Sequence, residues 1–128
     1  MSRCLIVYGT LLEREPNHGM MKGARFVRRA RTEPRFTLID LGPFPALFEG
    51  GATAVEGEVY EVTDEHLAAL DRFEGVPRLY ERIAVRLEDG DMVEGYVQRG
   101  RSHRARDVIA SGDWRAHRKE RANANPAP

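Results

Sequence analysis

Cysteine occurs once in the 128 residues, at Cys4, so no disulfide can close within the chain, and a reducing compartment fits. No apolar run approaches the ~18 residues of a membrane-spanning helix. The N-terminal stretch MSRCLIVYG has one basic residue and a four-residue apolar core before YGT. That is too short for a signal peptide and reads as a first strand, which makes the cytoplasm the expected location. Metal-binding and nucleotide-binding patterns are missing. The four histidines, His18, His66, His103 and His117, have no second His or Cys at zinc-like spacing. They are expected to be solvated or locally bonded. Neither GxxxxGK nor GxGxxG occurs, and Ser2, Ser102 and Ser111 lack the GxSxG context of a nucleophile elbow. Cys4 has no histidine beside it and is expected as a small buried hydrophobe. No metal or cofactor is expected.

Net charge is zero but unevenly spread. From Arg99 to the end there are eight Lys/Arg against three Asp/Glu, a balance of +5, which leaves −5 for the rest. The stretch RGRSHRARD could meet phosphates, but it has no aromatic residue on which bases would stack. The acidic body also opposes nucleic acid. A solvated or self-associating arm over Arg99–Arg121 is the expectation.

The length suits one domain with a single core, expected over 1–120, with 121–128 a disordered tail. CLIVY reads as a buried strand and GTLLEREPNHG as a loop. Residues 24–32 read as a strand with Phe26, Arg28 and Ala30 on one face. FTLID, ALF, residues 52–62, ERIAVRLEDG and MVEGYVQRG supply further extended segments. TDEHLAALDRFEG is the clearest helix. Thr63 or Asp64 caps its start, Leu67, Leu70 and Phe73 form its apolar stripe, and Gly75 and Pro77 end it. DVIASGDWRAHRKERA reads as a short helical arm. Many strands with one firm helix indicate an α+β domain built on a small, mostly antiparallel, barrel-like sheet with flanking helices.

One acid is badly placed. Glu74 occupies the last helical turn, where the negative end of the helix dipole disfavours a carboxylate. It follows Leu70 by four residues and Leu67 by seven, on the edge of the buried stripe. Burial and the dipole both favour the neutral acid and would raise its pKa. Such a carboxylate can take a proton and return it. The plain alternative is a surface acid at a helix end.

Two segments bear on that choice: VYGTLL at Val7–Leu12 and LDRFEGVPRLYER at Leu70–Arg82, with NHGMM, LIDLGPFPAL and VEGEVYEV between them in order. This ordered set resembles the γ-glutamylcyclotransferase family, in the branch of small AIG2-like and γ-glutamylamine cyclotransferase proteins. SGDW at Ser111–Trp114 is similar to the ending of some bacterial members. The resemblance implies a small β-barrel with flanking helices. It also implies an enzyme that releases an amine from a γ-glutamyl amide as the glutamyl part closes to 5-oxoproline. It places the acid/base role on Glu74 and substrate binding on Tyr8, Gly9, Thr10, Leu11 and Tyr80. For Tyr80 a core aromatic role is an equal reading. Arg82 reads as the partner of an acid on the sheet rather than of substrate. The GPFPAL loop is expected at the pocket rim, and Trp114 either caps the site or packs the chain end. The amine side stays open: γ-glutamyl amino acids, γ-glutamyl-lysine, glutathione and γ-glutamylated natural-product intermediates share one glutamyl end. The rival reading is a non-catalytic small-molecule or protein-binding module on the same fold.

Overall fold

The computed structural model describes residues 2–99 and 104–124. Seven strands and two α-helices follow in order: β1 (Ser2–Val7), β2 (Arg25–Arg31), β3 (Phe36–Asp40), β4 (Pro45–Glu49), β5 (Glu56–Thr63), α1 (Asp64–Glu74), β6 (Tyr80–Arg86), β7 (Met92–Gln98) and α2 (Trp114–Ala124). Five strands form one sheet in the order β2-β5-β1-β7-β6, and β3 and β4 form a separate hairpin. The apolar run Leu5–Val7 explains the centre of that order. A strand buried on both faces carries no polar alternation, and β1 lies between β5 and β7 with these residues almost wholly inaccessible.

The sheet is mixed. β1 runs antiparallel to β5 but parallel to β7, with Leu5 opposite Glu94. The expected barrel is met only in part. The edge strands β2 and β6 approach at one end, through a Thr32–Leu87 bridge and through Glu33 N–H to Arg86 O (3.0 Å) and Glu88 N–H to Arg31 O (2.9 Å). Elsewhere along those two edges no ladder joins them among the described residues.

α1 forms where the sequence places it. The Thr63 hydroxyl accepts from His66 N–H at 3.0 Å and caps the start. Gly75 adopts the left-handed conformation at φ 71°, and two bonds close the end: Gly75 N–H to Arg72 O and Val76 N–H to Asp71 O. Leu67 and Leu70 are buried in the main core, but Phe73 is not. The stripe expected to include Phe73 therefore ends one turn early.

Two other expectations change. A bulge between Phe26 and Arg28 inserts Val27 into β2, so Phe26 pairs with Tyr60 while Arg28 pairs with Val59. Phe26 thus leaves the face expected to hold it with Arg28 and Ala30. The last helix begins at Trp114, not near Asp107. Val108 bridges Ile39 instead, Ile109 is buried, and Gly112 turns the chain at φ 70°. Nor is this segment a projecting arm. Trp114 is 0% exposed, and Arg115, Arg118 and Arg121 pair with Glu58, Glu15 and Asp40. α2 runs through Ala124, into the expected tail; residues 100–103 and 125–128, with Ser102 and His103, lie outside the described residues. Among the described residues no helix is long and apolar enough to cross a membrane.

Candidate active site

Beyond its last residue, β1 leaves the sheet and bends. Leu12 N–H donates to Gly9 O at 3.0 Å, which makes a tight turn, and Asn17 closes the loop behind it. The Asn17 backbone N–H donates to Thr10 O, and its side-chain amide donates to the Thr10 hydroxyl, both at 2.9 Å. His18 Nδ1–H donates to Leu11 O at 2.8 Å. The carbonyls of this turn are therefore satisfied. The backbone N–H groups of Gly9, Thr10 and Leu11 donate to no protein acceptor among the described residues. Consecutive free N–H groups form a concavity suited to an anion or a developing oxyanion.

That turn lines a cavity of about 220 Å³. Ile6, Val7, Tyr8 and Leu11 form its buried floor, and Glu74, Tyr80 and Tyr96 stand around it. Gly9 is required by space as well as by the turn. A Cβ there would lie 2.7 Å from Pro45 Cγ and 2.9 Å from Cδ, and Pro45 also lines the cavity. The GPFPAL loop reaches it through Phe44 and Pro45, as its rim reading expects.

Glu74 reaches the cavity because α1 ends there. The Gly75 turn reverses the chain and leaves the last side chain of the helix beside the opening. Burial pushes its carboxyl up to about 7. Among the described residues no cation or hydrogen-bond donor partners it, so nothing opposes that burial. The phenol of Tyr8 is raised well above its ordinary value by burial first, then by Tyr80 and Glu74 nearby. Tyr8 is fixed through its hydroxyl, which donates to Tyr96 O at 2.8 Å. Tyr80 O–H points to Pro45 O at 3.4 Å.

The cavity thus gathers every residue that the sequence singles out: Glu74, Tyr8, Gly9, Thr10, Leu11 and Tyr80. Arg82 stays outside it and binds Asp71 and Glu94, the ion-pair role expected of it. Trp114 packs inside the protein and does not cap the cavity. Sequence reasoning misses Tyr96, Leu79 and Asn17. Tyr96 reaches the site only through the parallel β1–β7 pairing, for which no local pattern exists. No group of three or more His, Cys, Asp or Glu able to hold a metal occurs among the described residues. His18, His66 and His117 are each locally bonded, to Leu11 O, Met20 O and Asp40.

Comparison with known proteins agrees with this layout. The family profile described as "Gamma-glutamyl cyclotransferase, AIG2-like" matches residues 5–116. A Vibrio cholerae protein provisionally named a gamma-glutamylcyclotransferase is 38% identical over 114 residues, covering 89% of this chain and 96% of its own. Human gamma-glutamylaminecyclotransferase is 37% identical over 93 residues, covering 66% of this chain and 61% of its own. The crystal structure of a mouse AIG2-like protein superposes with a TM-score of 0.71 at 30% identity, covering 88% of each chain. On the profile match and the Vibrio relative, the chain belongs to the gamma-glutamyl cyclotransferase, AIG2-like family.

Proposed function

We propose that the chain is an enzyme that releases an amine from a small γ-glutamyl amide and closes the glutamyl part to 5-oxoproline, with Glu74 moving the protons. The observation that carries this reading is a carboxyl raised to about 7 in the same small cavity as three free backbone N–H groups. A base must be ionised to accept a proton and must hold it well enough to return it, and a pKa near working pH meets both demands.

The substrate's α-amine is mostly protonated at neutral pH and does not attack in that form. The Glu74 carboxylate takes one proton from it. The freed nitrogen attacks the γ-carbonyl carbon of its own chain, and the new C–N bond closes a five-membered ring. Negative charge moves to the carbonyl oxygen, where the N–H groups of the Gly9–Leu11 turn can receive it. Protonated Glu74 then gives its proton to the leaving nitrogen. The old C–N bond breaks, the ring carbonyl re-forms, and the amine departs. Ring closure is intramolecular, so holding the glutamyl chain folded supplies much of the acceleration. The cavity of about 220 Å³ is smaller than the ~300–1,000 Å³ that encloses a drug-sized ligand, which suits a glutamyl head rather than a whole large substrate.

The test is release of 5-oxoproline from a panel of γ-glutamyl amides by the wild-type protein and by Glu74→Gln. The expected result is turnover that the variant loses while remaining folded. A fully active Gln variant overturns the role of Glu74. Tight ligand binding without turnover by the wild type supports the binding-module reading instead.

A further inference from the structure

Three large apolar side chains stand exposed around the cavity mouth: Phe44 at 39%, Phe73 at 42% and Leu79 at 64%. Exposed apolar residues scattered singly need no explanation. These three come from separate segments, the β3–β4 turn, the last turn of α1 and the loop before β6, and they converge on one opening. Leu79 is held there. Its N–H donates to Gly75 O at 2.9 Å, and its side chain lies so close over Gly75 that a Cβ on that glycine would be 2.9 Å from Leu79 Cδ1. Gly75 therefore serves the rim as well as the helix end.

Burial gives the cavity a direction. Its floor is the inaccessible Ile6, Val7 and Leu11, and its rim is Phe44, Phe73 and Leu79. The free N–H groups belong to the turn that contains Leu11, at the floor. A glutamyl group bound to that turn leaves its amide nitrogen, and whatever the nitrogen carries, directed at the rim.

The rim is also defined by what it does not contain. Apart from Glu74 and the phenols of Tyr8, Tyr80 and Tyr96, no ionisable side chain lines the cavity among the described residues. The exposed Arg72 and Arg78 flank Phe73 and Leu79 in sequence, but neither lines it. A carboxylate on the leaving amine would find no cation there and would approach ionised Glu74. An alkyl or arylalkyl chain would instead cover three side chains already in water.

Resting on the proposed γ-glutamyl chemistry, we infer that the site selects γ-glutamyl amides of apolar amines that carry no carboxylate, with Phe44, Phe73 and Leu79 as the leaving-group subsite. The experiment compares kcat/KM for 5-oxoproline release from four amides sharing one glutamyl end: the n-hexylamide, the methylamide, γ-glutamyl-ε-lysine and γ-glutamyl-alanine. In an enclosed apolar pocket a single methylene discriminates by roughly 10-fold or more, so an open rim meeting a hexyl chain should give about 10-fold. The hexylamide is expected to exceed both γ-glutamyl-ε-lysine and γ-glutamyl-alanine by about that factor. Leu79→Ser and Phe73→Ser are each expected to lower the hexylamide-to-methylamide ratio by about 3-fold or more, because each removes part of the covering surface. Both residues are exposed, and unchanged thermal melting confirms that the variants fold. Equal or better turnover of γ-glutamyl-ε-lysine or γ-glutamyl-alanine overturns the inference, and so does an unchanged ratio in both variants. Release with a flat profile overturns this selectivity alone, whereas no release from any of the four overturns the proposed reaction as well.

Discussion

Arg82 grips Asp71 with two parallel hydrogen bonds, Nε–H to Oδ1 at 2.9 Å and Nη2–H to Oδ2 at 3.1 Å. Asp71 Oδ1 also accepts from the Tyr96 hydroxyl at 2.7 Å. One carboxylate on α1 thereby ties the last turn of the helix to both β6 and β7, three residues before Glu74. Arg82→Met is expected to leave Asp71 partly buried without its cation and to cost about 1–3 kcal/mol, measured by urea unfolding. Turnover should fall too, because the turn that carries Glu74 loses its anchor. Arg82→Lys should recover only part of either loss, since an ammonium cannot make the paired contact.

The pH dependence of rate and of stability should run in opposite directions. With Glu74 as the base, kcat/KM should rise with pH through about 7, where its carboxyl ionises. Burial raises the folded-state pKa above the ordinary 4.5, so the folded protein binds this proton more tightly than the unfolded chain does. The resulting stabilisation is full below pH 4.5 and is lost as pH rises to about 7. Glu74→Gln, neutral at every pH, should therefore be more stable than wild type at pH 8, by up to about 3 kcal/mol. Thermal melts at pH 5 and pH 8 check this. A Gln variant no more stable than wild type at pH 8 contradicts a carboxyl ionised at a cost.

Much of this was legible in the sequence where the signals are local. Thr63 and Gly75 bound α1 because cap chemistry depends on a few neighbouring residues. Glu74 stood out because it violates a local electrostatic preference. What the sequence did not reveal is non-local. The parallel β1–β7 pairing brings Tyr96 beneath Tyr8 from 88 positions away, and no periodicity encodes that contact. Phe73 shows the limit of periodicity itself. It continues the spacing of Leu67 and Leu70, but the helix ends beside an opening, so the same pattern that buries Leu70 leaves Phe73 in water. The start of α2 was misplaced for a related reason. Ile109 is apolar because its segment runs beside β3, not because it lies on a helix, and its N–H donates to Leu38 O at 2.8 Å.

Gly9→Ala tests the turn directly. The added methyl would meet the Pro45 ring at 2.7 and 2.9 Å, closer than carbon atoms approach, so β4 or the turn must shift. The expected cost is about 1–3 kcal/mol in unfolding free energy. Because Gly9 belongs to the turn proposed to hold the oxyanion, kcat should fall by more than this loss of stability accounts for under conditions where the variant is fully folded. Gly19→Ala is the control. Nothing lies within 4 Å of a Cβ at that position, so it should leave both stability and turnover nearly unchanged.

Trp114 connects the far end of the chain to the same turn. Its indole N–H donates to Glu15 Oε1 at 3.0 Å across 99 positions, and Arg118 donates to the other oxygen at 2.9 Å. Glu15 is 6% exposed and belongs to the loop that folds back onto Thr10 through Asn17. Trp114→Phe keeps most of the apolar volume but removes one of the donors to a buried carboxylate, and should cost about 1–3 kcal/mol. Glu15→Gln retains an acceptor for the indole but gives up the charge that Arg118 pairs with, so it should cost less in the Phe background than in the wild type. A double-mutant cycle by urea unfolding measures that coupling, expected at about 0.5–3 kcal/mol. If the loop is held in place by this contact, Trp114→Phe should also raise KM for a γ-glutamyl amide while changing kcat less, because the binding turn loosens while Glu74 stays on α1. Additive unfolding energies together with an unchanged KM would show that α2 merely covers the core and leaves the turn to hold itself.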